Sequence, residues 1–380
     1  MKKLFAFISL ASILALSGCY PTEKKIYSEI SSDFSETSNT EIESSHFEYS
    51  KDNLSAHFDF PEIPDKLPSR IKLKEKIFDR QKAIELLFNG EAPASEYLYG
   101  EHNECGQYIS SDGSELIIEG NKIAYYNGKF DDENLPVAYF PIMNSCREHF
   151  RDKFSITENE LEEFPLQTAL KTANDLIFEL GIEGLGEPEI YAVSLASYEK
   201  IREDDPQIFN DEISLTKDNE IYVFRFPQEI NGVKLSDINV DIKDSTREWA
   251  SLATSSSFVV GVSKDGIFEF YIDAAYETDV EILNDEAVKY NFSHAVSELR
   301  SHFEKVIFTR SKSVVISKAE VIYFPVERNE IGTMEFLPAW SFNGYCRDYI
   351  FEEKLNCVSP WDFRFIVTTD AGVVREYSEV

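Results

Sequence analysis

Two serine–lysine pairs have a spacing at which a lysine could act as the base for a nucleophilic serine. Ser69 and Lys72 form the first pair, and Ser197 and Lys200 form the second. In the Ser-x-x-Lys hydrolases a Lys-Thr-Gly motif accompanies such a pair. No Lys-Thr-Gly follows here, and neither serine opens a convincing helix. Because HExxH, GxSxG, P-loop and GxGxxG patterns are also missing from the sequence, we predict no catalytic residue and no enzymatic activity.

Candidate metal ligands are sparse, and the sequence predicts no metal and no cofactor. His294 and His302 are eight residues apart, which places them about 80° apart around an ideal helix. The acidic stretch 202–220 offers carboxylate oxygens of the kind that Ca²⁺ prefers. It lacks the spaced Asp/Asn loop with a fixed glycine, so we interpret it as a solvated loop.

Two tryptophans are candidate binding aromatics. Trp340 and Trp361 both lie in strand-like runs. Packing in a core is the commoner role for such side chains, and we expect it for both.

The cysteine at position 19 has a different chemistry. Two lysines and an apolar run precede it, as in a secretory signal peptide over residues 1–18. Leu16-Ser17-Gly18-Cys19 resembles the bacterial lipobox, in which the cysteine thiol receives a diacylglycerol. The sequence therefore predicts a lipid anchor at Cys19 on the extracytoplasmic face of the cell membrane; an ordinary secretory signal with a chance cysteine is the alternative.

Four further cysteines fit this location. An even number of cysteines outside the cytoplasm indicates disulfides, and four cysteines allow three pairings. Proximity in the sequence favours Cys105–Cys146 and Cys346–Cys357. The alternative is four buried thiols.

Composition excludes one class of partner. The chain of 380 residues carries a formal net charge of −32 at pH 7. Nucleic acid binding needs Lys and Arg to neutralise phosphates, so nucleic acid is not an expected partner. The length predicts two or three domains, and no later segment is long and apolar enough to span a membrane.

The elements that must position these residues follow from periodicity and turn signals. Residues 19–45 are rich in Ser, Thr and Glu, which predicts a disordered tether behind the anchor. Helices are expected from caps at Asp79, Pro165 and Asp285, and antiparallel strands follow each helix. The sequence thus predicts an α+β fold of two or three modules, each a helix packed on an antiparallel sheet. Their expected ranges are 46–155, 156–280 and 281–380.

The C-terminal strands carry a resemblance to a known group. The end of the sequence resembles the closing strands of PepSY-like and YycH/YycI-type domains. The match consists of "AEVIYFPV", then "FLPAWSF" with Pro338, Ala339 and Trp340, and then a turn at Asp370, Ala371 and Gly372. "LQTALKTANDLIFELGI" and "YVFRFPQEINGVKL" resemble the helix and next strand of the same group. The layout is similar to uncharacterised lipoproteins of Firmicutes.

The resemblance implies an extracytoplasmic regulator that contacts a partner protein and performs no chemistry. YycH/YycI-type proteins carry a spanning N-terminal helix, whereas this sequence predicts a lipid anchor. The expected function is a membrane-anchored, non-enzymatic binding or regulatory scaffold for an envelope protein, with a contact surface on an edge strand or open sheet face of the C-terminal module. An envelope hydrolase or a solute-binding lipoprotein is the alternative.

Overall fold

The structure is a computed structural model. It describes residues 46–61, 69–100, 105–128, 154–157, 160–204, 216–240, 242–244, 254–284, 291–305, 312–348, 361–369 and 374–378. The predicted signal peptide 1–18 and tether 19–45 lie outside these residues.

Alternating apolar and polar residues at the start of the described chain form a hairpin. Strands β1 (His46–Lys51) and β2 (Leu54–Asp59) pair antiparallel. Asp52 adopts a left-handed conformation with φ of 52° at the turn. Phe47 and Phe58 point to the buried side and stack with ring centroids 5.0 Å apart.

The remaining strands fall into two sheets. Their bounds are β3 (Arg70–Glu75), β4 (Ser95–Tyr99), β5 (Cys105–Ile109), β6 (Glu115–Glu119), β7 (Lys122–Tyr126), β8 (Glu189–Val193), β9 (Ile221–Pro227), β10 (Glu229–Ile230), β11 (Val233–Leu235), β12 (Lys243–Asp244), β13 (Ser257–Ser263), β14 (Gly266–Ile272), β15 (Tyr276–Asn284), β16 (Lys312–Arg328), β17 (Thr333–Asp348), β18 (Trp361–Thr368) and β19 (Val374–Ser378).

Sheet 1 is built around the two longest strands, β16 and β17. Its main order is β1-β2-β16-β17-β18-β19, and β3 pairs with both β17 and β15. Three of its pairs are parallel, because β2, β11 and β12 each run parallel to β16. Sheet 2 is entirely antiparallel in the order β4-β5-β6-β7-β14-β13-β9-β8.

Four helices lie within the described residues: α1 (Arg80–Leu87), α2 (Leu166–Glu179), α3 (Leu195–Asp204) and α4 (Phe292–Lys305). Asp79 caps α1 by accepting a hydrogen bond from the Lys82 N–H at 3.0 Å, as its sequence predicts. Pro165 precedes α2, as predicted, and Gly181 follows the helix with φ of 65°. Asn291 accepts a hydrogen bond from the His294 N–H at the start of α4, while the predicted cap Asp285 lies outside the described residues.

Hydrophobic clusters show how the layers stack. Helices α1 and α2 pack on one face of sheet 2. Helix α4 packs on one face of sheet 1. The other faces of the two sheets meet, since Tyr345 of β17 packs against the cluster formed by sheet 2 and α3. The order of layers is therefore helix, sheet, sheet, helices, which confirms the predicted α+β class.

A polar seam joins the sheets. Asp237 accepts hydrogen bonds from Arg225 of β9 at 3.2 Å and from Arg364 of β18. Next to it, the hydroxyls of the buried stretch Thr254–Ser256 donate to the main-chain carbonyls of Ile238, Asp237 and Ala274. These bonds satisfy polar groups that would otherwise be costly to bury.

Strand pairing crosses the three expected module ranges. Sheet 1 takes β1–β3 from the first range and β16–β19 from the last, and α1 and α2 share sheet 2. By its contacts, Ile42–Val380 is one compact unit. Within the described residues no helix has the length and apolarity to cross a membrane.

Candidate functional site

The structure describes two of the five cysteines that are predicted to carry lipid or to form disulfides. Cys19, Cys146 and Cys357 lie outside the described residues. Cys105 begins β5 and is half-buried, whereas Cys346 is buried on β17. The disulfides Cys105–Cys146 and Cys346–Cys357 therefore stay predictions.

Each serine–lysine pair has contacts unlike those of a catalytic dyad. The Lys72 ammonium binds Glu281 at 2.7 Å. The other serine, Ser197, is buried on α3 and donates to Ser155 O at 3.3 Å, while Lys200 donates to the Ser155 hydroxyl. The expectation that Ser197 opens no helix is wrong, since α3 holds it in its first turn, where the Ser194 hydroxyl accepts from its N–H at 3.3 Å.

The histidines of α4 contact different groups. His294 Nδ1 lies 3.0 Å from Asn291 Oδ1, and the His302 ring packs edge-on against Phe365 at 5.6 Å. No group of three or more His, Cys, Asp or Glu side chains in the described part of the chain has the arrangement of a metal site.

The described part of the acidic stretch 202–220 makes contacts within the protein. Lys217 pairs with Glu162 at 2.6 Å, and Lys264 pairs with Asp218. Glu220 accepts a hydrogen bond from the Leu195 N–H at 3.0 Å, at the start of α3. Residues 205–215 lie outside the described residues.

Trp340 has the core role expected for it. Its side chain is fully buried and packs edge-on against Phe292 with ring centroids 4.9 Å apart. Trp361 begins β18, but its side chain lies outside what the structure describes.

A site that the sequence analysis missed lies on sheet 2. Strand register places one set of side chains on the face opposite α1 and α2. We name it the tyrosine–carboxylate face, and its polar and aromatic members are Tyr97, Tyr99, Gln107, Glu115, Glu119, Lys122, Tyr126, Glu269, Tyr271 and Asp273. Alternate residues such as Tyr108, Leu116 and Phe270 point to the opposite side, into the core under α1 and α2.

The outer end of this face is aromatic and open to solvent. Tyr97 and Tyr99 of β4 stack with ring centroids 5.7 Å apart, and Tyr97 is 64% exposed. Within the described residues β4 pairs with β5 alone, so it is an edge strand of sheet 2. Exposed tyrosines supply large contact area together with a polar hydroxyl, which suits them to binding surfaces.

Carboxylates lie beside these rings. The Tyr99 hydroxyl donates to Glu119, and the Gln107 amide donates to Glu115. Lys122 is 4.0 Å from Glu119 and 3.7 Å from Asp273. Among the described residues of β4–β7 and β14, Lys122 is the one cationic side chain that the register places on this face, so carboxyl groups outnumber cations there.

Burial changes the acid–base properties of the inner end of the face. Burial raises the pKa of the Glu115 carboxyl, although the hydrogen bond from Gln107 lowers it. Burial, followed by the nearby Glu269, raises the pKa of the Tyr126 hydroxyl. Tyr99 also has a raised pKa, through burial and then its bond to Glu119.

Glu269 is a buried carboxyl group of this face. It sits beside a β-bulge, because Gly261 pairs with Glu269 and Val262 with Ile267, which leaves Phe268 as the extra residue of β14. The side chain is 3% exposed, and its Oε2 atom has no hydrogen-bond partner in the described structure. Burial raises the pKa of this carboxyl well above its usual range, because the charged form loses its hydration.

Sequence signals for this site exist but are weak. The run "SEYLYG" alternates tyrosine with other residues, and "GIFEFYI" places one glutamate within an apolar strand. Neither run shows that β4 is an edge strand or that Tyr126 lies between Glu115 and Glu269. Those facts depend on pairing between strands.

Comparison with known proteins identifies the fold alone. No family model matches the chain, and no curated protein matches it. A crystal structure of an uncharacterised protein from Eubacterium rectale ATCC 33656 is similar, with a TM-score of 0.59 and 14% sequence identity over 87% of this chain and 93% of that chain. At this identity the similarity defines a shared fold and carries no function.

Proposed function

We propose that the protein is a membrane-anchored extracytoplasmic lipoprotein that binds an envelope protein and catalyses no reaction. The lipobox-like run at Cys19 supports the anchor. The stacking of the exposed Tyr97 ring on the half-buried Tyr99 ring of edge strand β4 is the observation that carries the binding role.

Tyrosine and other aromatic residues are enriched in protein–protein interfaces, where they act as anchors. An edge strand also offers unpaired main-chain groups to an extended segment of a partner. Strand β4 combines both features. The proposed surface therefore lies on β4 and the solvent-exposed outer end of the tyrosine–carboxylate face, and not on the C-terminal strands expected from the sequence.

Charge indicates the chemistry of the partner. Glu119 and Asp273 carry carboxylates on the face, and Lys122 is shared between them. The whole chain has a net charge of −32. Complementary potentials speed association and suppress wrong partners, so we propose that the partner presents a basic, extended segment.

Co-isolation of tagged full-length protein from detergent-solubilised membranes tests this function. The test variant is Tyr97→Ser with Tyr99→Ser, and the control is Phe178→Ser, because Phe178 is 78% exposed on α2. We expect an envelope protein whose recovery falls at least tenfold with the double variant and is unchanged by the control. Equal recovery with all three proteins, or equal loss with the control, would contradict the proposal.

An envelope hydrolase is the second candidate, and Glu269 favours it. A buried carboxyl with a raised pKa could act as a general acid, and Glu115 on the same face also has a raised pKa. A hydrolase screen of the full-length protein tests this candidate. Turnover that Glu269→Gln abolishes without unfolding the chain would favour the hydrolase over the binding protein.

A further inference from the structure

Hairpin β1–β2 carries a pair of histidines that the proposed function does not use. His46 lies on β1 and His57 on β2, with Asp59 directly opposite His46 and Glu48 opposite His57. The Nε2 atom of His46 is 3.0 Å from the Nδ1 atom of His57. The two ring centroids are 4.1 Å apart.

A carboxylate orients the first of these rings. The His46 Nδ1 atom lies 2.9 Å from Asp59 Oδ1, so an Nδ1–H of the neutral ring can donate to this carboxylate while the Nε2 atom faces His57. Histidines that bind metals commonly donate their other ring N–H to a carboxylate in this way, which fixes the tautomer and the ring.

The distance between His46 Nε2 and His57 Nδ1 is close to the distance between the nitrogens of two imidazoles that coordinate the same metal ion. With metal–nitrogen bonds of about 2.0–2.1 Å and a tetrahedral angle, two ligand nitrogens lie about 3.3 Å apart. A change of a few tenths of an ångström in the His46–His57 distance would admit an ion between the rings. Without an ion, the His57 N–H can donate to His46 Nε2 instead.

The hairpin holds the rings in place from its other side. Phe47 and Phe58 are buried in the core under α4, and β2 pairs with β16. Lys51 donates to Glu304 O at 2.8 Å, which ties the hairpin to the end of α4. Both histidines therefore project from a strand pair that is already packed.

We propose that His46 and His57 form a binding site for a divalent transition-metal ion such as Zn²⁺, Ni²⁺ or Cu²⁺, with Asp59 as a positioning residue. Imidazole nitrogens suit these metals. Two protein nitrogens are fewer than the three or four ligands of catalytic and structural zinc sites, so water completes the coordination. The site is open, and the ion exchanges with solvent.

Titration of the full-length protein with Zn²⁺, Ni²⁺ and Cu²⁺ by calorimetry tests the site. We expect one equivalent to bind, a loss of at least tenfold in affinity with His46→Ala or His57→Ala, and a 10–100-fold loss with Asp59→Asn. His294→Ala and His302→Ala are matched controls on α4 and should bind as the wild type does. Electron paramagnetic resonance of the Cu²⁺ form should show two coordinated imidazoles.

The histidine variants are expected to fold, because His57 and Asp59 are exposed, and circular dichroism checks this. Absence of binding by the folded wild type would overturn the proposal. Unchanged affinity in the folded His57→Ala variant, or equal loss in His294→Ala or His302→Ala, would overturn it as well.

Discussion

Arg364 and Asp237 join the two sheets through the Arg364 Nη2 and Asp237 Oδ2 atoms, which are 3.1 Å apart. Arg364 belongs to β18 of sheet 1, and Asp237 also accepts from Arg225 of sheet 2. Both guanidinium groups are buried, and the Asp237 carboxylate contacts both of them between the sheets.

Replacing Asp237 with alanine should therefore destabilise the chain strongly. Removing one partner of a buried ion pair costs about 3 kcal/mol, because the remaining charges stay buried. Asp175→Ala is the matched control, since Asp175 forms an exposed pair with Lys171 on α2 and should cost about 0.5 kcal/mol or less. Urea unfolding measures both variants. If Asp237→Ala lowers the free energy of unfolding no more than Asp175→Ala does, the ion pairs of Asp237 contribute little to stability.

Glu269 makes stability depend on pH. Its pKa is raised in the folded chain, so the folded state binds this proton more tightly than the unfolded state does. Its contribution is complete below the unfolded pKa of about 4.3 and is lost as pH rises through the folded pKa.

Glu269→Gln keeps the neutral shape and removes the titration. We expect the variant to match the wild type in unfolding free energy near pH 4 and to exceed it progressively as pH rises to 8. The exposed Glu277→Gln serves as the control and should show no such divergence. A constant difference between Glu269→Gln and the wild type over this pH range would refute the explanation.

Anchoring depends on Cys19. Acyl chains contribute about 0.8 kcal/mol per buried CH₂, so Cys19→Ala should move the protein from the membrane fraction to the soluble fraction. Mass spectrometry of the wild type should find lipid on the N-terminal peptide. The anchor hypothesis fails if the variant stays with membranes and the wild type carries no lipid mass.

Disulfides Cys105–Cys146 and Cys346–Cys357 are expected in protein from the envelope. The second disulfide closes a loop of about 12 residues and should raise the free energy of unfolding by roughly 3 kcal/mol in the chain-entropy model. Peptide mapping without reductant should recover both pairs, and reduction should lower the unfolding free energy. Recovery of crossed pairs or of four thiols would rule out this pairing.

Local features could be predicted from the sequence. The Asp79 cap and the start of α2 after Pro165 both depend on residues that are neighbours in the chain. Helix α3 was missed because "LASYEKIRED" has a strongly polar composition and weak periodicity, so that packing of Tyr198 and Ile201 against sheet 2 determines it.

Pairing between distant segments could not be predicted. Strand β2 of the first hairpin runs parallel to β16, which follows about 260 residues later, and Val314 pairs with Leu54. The same limit applies to the site, since Tyr99, Glu119 and Lys122 meet only when β4–β7 form one sheet. Alternation in a strand predicts two faces, but the register alone decides which side chains share them.

Photo-cross-linking in intact cells is the most direct test of the central claim that β4 binds an envelope protein. A photoreactive phenylalanine analogue would replace Tyr97 in one full-length protein and Phe178 in another, since both positions are exposed. The account predicts a covalent adduct with one envelope protein at position 97, lost when Tyr99→Ser is added, and little or no adduct at position 178. Equal adduct yields at the two positions, or no adduct at position 97 in membrane-anchored protein, would contradict it.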